Sequence, residues 1–120
     1  MFKLKPYQYL KKNSEYKEIS EKAITKKYRY LVVKYCKNSD LKSNYSKFTY
    51  GITVTKKYGN SVKRNLLKRR LKSIINSNDI LKDLQNISLS IYPKFIAKNI
   101  RFTDLKKEVD KILNNVKNYK

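Results

Sequence analysis

Between Lys56 and Lys72 the chain reads KKYGNSVKRNLLKRRLK, and this run limits the fold more than any other. Over Ser61–Asn76 the apolar residues have helical spacing. On a wheel drawn at about 100° per residue, Leu67, Leu71, Ile74 and Ile75 fall on one side. A helix with a single narrow apolar stripe must pack on another element, and its remaining surface must face water or a partner. That surface is almost entirely positive. The run holds eight lysines and arginines, and no Asp or Glu occurs between Asp40 and Asp79. Solvated helix faces ordinarily mix signs, so the expected partner is a polyanion.

The cations lie on both shoulders of the stripe. Lys68, Lys72, Asn65 and Arg69 occupy one adjoining arc, and Lys63 and Arg70 the other flank. Val62 and Leu66 point outward, and Arg64 stands at the edge of the apolar arc, where a long side chain can snorkel to solvent. Guanidinium forks suit paired phosphate oxygens, and ammonium groups add point charges. Lys56 and Lys57 lead into a break at Gly59-Asn60. Glycine permits a positive φ there, asparagine can cap the helix, and the free N–H groups of the helix start attract anions.

The whole chain carries the same bias: thirty Lys+Arg against nine Asp+Glu give a net charge of +21 on 120 residues. Self-repulsion of that size opposes compaction, and a counter-charged partner relieves it. Phosphate backbones are the first candidates and an anionic membrane surface the second. The length fits one domain, 1–120, with a basic and apolar-poor arm over 1–12. The one cysteine, Cys36, lies in an apolar run and reads as a buried structural thiol. The N-terminus has charges and tyrosines where a signal peptide needs an apolar stretch, and no window approaches a membrane span. A cytoplasmic location is the expectation.

Three segments read as strands, each with one apolar and one polar face. Tyr28–Cys36 sets Leu31, Val33 and Tyr35 against Tyr28, Tyr30, Val32 and Lys34. Phe48–Thr55 sets Phe48, Tyr50, Ile52 and Val54 against Thr49, Gly51, Thr53 and Thr55. Ile87–Tyr92 sets Ile87, Leu89 and Ile91 against Ser88, Ser90 and Tyr92. A first helix is expected from Asn13, with Tyr16, Ile19 and Ala23 at three- and four-residue spacing. A last one is expected over Asp104–Val116 after Thr103, with Leu105, Val109, Ile112, Leu113 and Val116 as its stripe. The order α-β-β-α-β-α gives an α+β sandwich, in which the Thr/Ser/Tyr/Lys face of the sheet is either partly open to a ligand or simply solvated.

The run Thr55-Lys56-Lys57-Tyr58-Gly59-Asn60-Ser61-Val62-Lys63-Arg64-Asn65-Leu66-Leu67-Lys68-Arg69 resembles the protein subunit of bacterial ribonuclease P. That family shows a strand, then Ser/Thr-Lys-Lys, an apolar residue, Gly-Asn/Lys-Ala/Ser-Val, one variable residue and Arg-Asn-Arg-x-Lys-Arg. The likeness extends from Leu10 to Val116, through Leu10-Lys11-Lys12-Asn13, Arg29, the Tyr92-Pro93 break and the closing helix. The chain departs from the pattern in three places. The second motif arginine is Leu66, with Arg70 one turn further on. Of two aromatic residues usual on the first helix, Tyr16 matches one and Ser20 replaces the other. The arginine usual before the proline is Tyr92.

The resemblance implies a four-stranded sheet with a left-handed βαβ crossover, against the general right-handed rule. It also implies a partner RNA that performs hydrolysis with magnesium held mainly by that RNA, and a substrate, precursor tRNA, cut to its mature 5′ end. Carried onto this chain, the RNA contacts fall on Lys56, Lys57, Asn60, Lys63 and Arg64, and on Asn65, Lys68, Arg69, Arg70 and Lys72. The cleft for the 5′ leader falls on Tyr16, Tyr28, Tyr30, Val32 and Lys34. Neither a membrane nor an obligate protein partner is implied.

The residues themselves offer no catalytic group. Without histidine, imidazole acid–base chemistry is excluded. No compact set of acids accompanies the basic helix, as a two-metal carboxylate site would require. No metal-contacting residue stands out. The expected role is thus that of a non-catalytic subunit of an endoribonuclease. The competing reading is a small structural, ribosomal-type RNA-binding protein.

Overall fold

Strand β3 (Leu31–Lys37) lies beside strand β5 (Ile87–Pro93), and their inward side chains form the centre of the molecule. In the computed structural model, which describes residues 7–10, 13–42 and 47–118, these two belong to a five-stranded mixed sheet. The other strands are β1 (Tyr7–Tyr9), β2 (Ile24–Lys27) and β4 (Phe48–Ile52), and the order across the sheet is β1-β4-β5-β3-β2. Among the described residues there are three α-helices: α1 (Asn13–Lys22), α2 (Ser61–Asn76) and α3 (Phe102–Lys117). The α+β class follows as expected.

One sheet face carries the main core. Leu31, Val33 and Tyr35, Phe48, Tyr50 and Ile52, and Ile87, Leu89 and Ile91 are all buried there. They meet Leu67, Leu71, Ile74 and Ile75 of α2, and Leu105, Val109, Ile112, Leu113 and Val116 of α3. These are the alternating and helical residues read from the sequence. Each such side chain contributes about 1.5–3 kcal/mol on full burial. The sheet neighbours β4 and β5 are parallel, so β4–α2–β5 is a βαβ unit with α2 as its crossover.

On the opposite face α1 covers only part of the sheet. Ile19 joins Leu10, Cys36 and Leu41 in a small second core, with Tyr16 and Ala23 packed on it. Thr49, Ser88 and Ser90 are fully buried beneath. Asn38 fills the far end: its Nδ2 donates to Lys47 O at 2.8 Å, and its Oδ1 accepts from the Ser88 hydroxyl.

The structure corrects several boundaries. The sheet has five strands, not the four that the resemblance implies. The two strands absent from the sequence reading lie at the edges, where burial imposes no alternation. All four residues of β2 are exposed, and β1 is three residues of the segment expected to be an arm, paired in parallel with β4. The remainder of that segment lies outside the described residues, apart from Leu10, which is buried. The strand expected from Tyr28 begins at Leu31, because Ile24–Lys27 folds back on Val32–Tyr35 as a hairpin and Tyr28–Tyr30 is its turn. Tyr28 N donates to Leu31 O at 2.8 Å to close it. β4 ends at Ile52, and the chain turns out of the sheet before Thr55. Helix α3 starts at Phe102 with Arg101 before it, so Thr103 lies within the helix and does not cap it.

Candidate nucleic-acid interface

The start of α2 is fixed by three local devices. Asn60 caps it, its side-chain oxygen accepting from Lys63 N at 3.0 Å. Gly59 stands at φ 156°, a conformation that L side chains rarely adopt. The preceding turn, Lys56–Tyr58, is anchored by the buried Tyr58 hydroxyl, which donates to Ala97 O at 3.1 Å. Burial raises the Tyr58 pKa, opposed by the nearby Arg70 charge, so this donor keeps its proton.

With the helix seated on its apolar stripe, Lys63, Arg69 and Arg70 are exposed, as are Lys56, Lys57, Asn60 and Asn65. Arg64, Lys68 and Lys72 are half-buried. Among the described residues the ion pair present joins Lys117 to Asp83 at 3.5 Å, at the end of α3. The α2 cations thus have no carboxylate against them there. Arg64 places its Nε out of solvent without a hydrogen-bond partner. A buried donor of that kind is satisfied when an acceptor arrives from outside.

A groove of about 650 Å³ lies between α1, β1 and the β4–β5 side of the sheet and reaches one shoulder of α2 at Lys68. Tyr9, Tyr16 and Tyr92 contribute rings, Lys17 and Lys68 charges, and Ser20 and Thr53 hydroxyls. Tyr16 is set by its fit to β4. It lies so close over Gly51 that any Cβ there would collide with its ring and hydroxyl. That hydroxyl donates to Leu10 O at 3.4 Å. Burial first, and then the neighbouring Tyr9, raise the Tyr16 pKa far above the tyrosine range, so the group remains a neutral donor. Lys34 reaches the groove from β3, donating to Ser20 Oγ at 2.9 Å with its ammonium 5.5 Å from the Tyr92 ring centre. Val32 pairs with Tyr92 on the same face.

Tyr28 and Tyr30 do not join this groove, which corrects their expected placement. The hairpin turn swings both towards α3. Tyr30 N donates to both carboxylate oxygens of Glu108 at 3.1 Å, and the Tyr28 hydroxyl accepts from Asn115 Nδ2 at 2.9 Å. Both rings pack on the main core. Tyr9, Lys17 and Tyr92 line the groove without having been expected there from the sequence. Tyr92 was marked by its alternation with Ser88 and Ser90; Tyr9, in a three-residue edge strand, carried no such signal. Lys68 belongs to the basic helix and also lines the groove, so the two surfaces meet at this residue.

Among the described residues no three His, Cys, Asp or Glu side chains lie close enough to hold a metal ion. The chain therefore offers no carboxylate cage for magnesium within them. Nor, among them, is any helix long and apolar enough to cross a membrane.

Residues 4–117 match the family model described as Ribonuclease P. A Ribonuclease P protein component of Helicobacter pylori (strain HPAG1) is 31% identical over an alignment of 134 residues, spanning 98% of this chain and 80% of that protein. Another, from Carboxydothermus hydrogenoformans, is 38% identical over 95 residues, covering 79% of this chain and 78% of its own. Among solved structures, the RNase P protein of Staphylococcus aureus superposes with a TM-score of 0.78 at 24% identity, covering 93% of this chain and 97% of that one. That of Thermotoga maritima superposes at 0.76 and 20% identity, covering 90% and 96%. These two show the shared fold.

Proposed function

This chain belongs to the ribonuclease P protein family, and we propose that it works as the RNA-binding subunit of a ribonucleoprotein that removes the 5′ leader from precursor tRNA. In this reading the catalytic RNA is held by α2 and the turn before it, through Lys56, Lys57, Asn60, Lys63, Arg64, Asn65, Lys68, Arg69, Arg70 and Lys72. The leader lies in the groove beside Tyr16, with Tyr9, Tyr92, Lys34 and Val32 along it. The observation that carries the reading is the continuity of the two surfaces at Lys68, which lines the groove while belonging to the basic helix.

The chemistry of such an interface is electrostatic and geometric. Fixed cations reduce the repulsion between two RNAs brought side by side. Ring faces stack on single-stranded bases with little regard to sequence, at roughly 1–3 kcal/mol per base. A leader site built from rings, hydroxyls and cations accepts many sequences, as a processor of many tRNAs requires. Magnesium, bound mainly by the RNA, supplies the metal chemistry of hydrolysis, and the protein is the non-catalytic partner, acting in the cytoplasm.

The test is a comparison of substrates. The RNA–protein complex should bind a precursor with a leader of several nucleotides more tightly than mature tRNA, and Tyr16→Ala should remove that difference while leaving mature tRNA binding intact. Equal loss for both RNAs would contradict the leader site.

A further inference from the structure

Along the other shoulder of α2 lies a second, more enclosed slot of about 350 Å³. Five of its seven lining residues are aliphatic or aromatic: Leu66 and Leu67 from the helix, Ala97 and Ile100 from the turn after β5, and Tyr58. Lys63 and Arg70 stand at its rim, and no acid lines it. Leu66 is 39% exposed among the cations of α2, where a leucine contributes nothing to phosphate binding. We propose that this slot takes one unpaired base of the RNA bound by α2, with Lys63 and Arg70 on the phosphates to either side of it. The proposal rests on the RNA-binding reading above and deepens it.

The physical case is one of matched chemistry. An unstacked base is flat and apolar on its faces, and it arrives with a phosphate on each side. The slot offers apolar walls between two cations that are seven residues, or about 10 Å, apart along the helix. A second copy of the chain is the poorer occupant. It carries the same +21 charge, and packing it here would bring like-charged surfaces together at a slot whose lining has no acid to offset them. An apolar wall also gives the slot an energetic signature of its own. Loss of Leu66 removes burial and stacking area but no phosphate contact, so affinity falls while its salt dependence stays the same.

The experiment uses the full chain and the cognate catalytic RNA, with dimethyl sulfate and a carbodiimide reporting which unpaired bases are accessible. The wild-type protein should protect a base that becomes reactive again with Leu66→Asn, and that variant should bind about fivefold more weakly with an unchanged log–log salt slope. Leu66→Arg should leave the same base reactive and steepen the slope. Both substitutions lie on the outer side of α2, and circular dichroism checks that each variant folds. Identical footprints and affinities for wild type and both folded variants would overturn the base slot while leaving RNA binding by α2 in place. Self-association of the wild type that Leu66→Asn abolishes would overturn it in favour of a second copy. A wild-type chain that fails to bind the RNA would overturn both readings together.

Discussion

Lys72 of α2 holds its ammonium 4.0 Å from the centre of the Tyr9 ring on β1. This contact joins the basic helix to the edge strand at a ring that lines the groove. The same ring meets Tyr50 edge to face, with centroids 5.3 Å apart at 88°. Tyr9→Leu should therefore lower stability by about 0.5–1.5 kcal/mol, the range for a partly exposed cation–π contact and an aromatic pair. It should also reduce the preference for leader-bearing RNA. Denaturant unfolding and paired binding curves measure the two effects.

The α2 cations should count individually in a salt titration. Replacing Arg64, Lys68 or Arg69 by alanine should weaken binding of the catalytic RNA, and each lost phosphate contact should flatten the log–log slope by roughly 0.7–0.9. An unchanged slope would mean that the side chain faces elsewhere in the complex.

Gly51 leaves the space that Tyr16 occupies. Its α-hydrogen side faces the ring and hydroxyl of Tyr16, and Gly51 itself is buried in the middle of β4. Gly51→Ala should cost about 1–3 kcal/mol through overpacking and should push Tyr16 out of the groove. Leader discrimination should fall with it. A variant that keeps both stability and discrimination would show that α1 yields easily, contrary to the packing described.

The thiol of Cys36 is buried on the α1 side, and burial pushes its pKa up to about 11, with Asp40 and Glu18 adding to the effect. The raised value has a definite sign. The folded form holds its proton more tightly, so this contribution to stability is complete below the ordinary thiol range and is lost as pH rises towards 11. Iodoacetamide at pH 8 should leave the folded chain unmodified and label it once unfolded. Rapid labelling of the folded protein would contradict the buried placement.

The inner framework was legible in the sequence wherever burial imposes a period. Helix α2 spans Ser61–Asn76 with the four buried residues that its spacing predicts, and Asn60 caps it. The stripe of α3 is likewise as read. The edges were not legible. In β2 every residue is exposed, so Ile-Thr-Lys-Lys has no alternation to display. The error about Tyr28 and Tyr30 has the same origin. Period-two reading carried the strand through a hairpin turn, and only the contacts of the Tyr30 backbone N–H with Glu108 and of the Tyr28 hydroxyl with Asn115, some 78 and 87 residues away, tie that turn to α3. Tyr9 and Lys68 meet in one groove because β1 pairs with β4 and α2 follows β4, a tertiary fact that no local pattern contains.

In the proposed ribonucleoprotein, fixed cations of the protein grip an RNA that itself breaks the bond. The most direct test of this is reconstitution at low magnesium, with precursor tRNA offered to the protein alone, to the cognate catalytic RNA alone, and to both. Slow cleavage by the RNA, none by the protein, and a marked increase in correct 5′ cleavage when they are combined are the expected results. Cleavage by the protein alone, or a rate that the protein leaves unchanged, would contradict this reading.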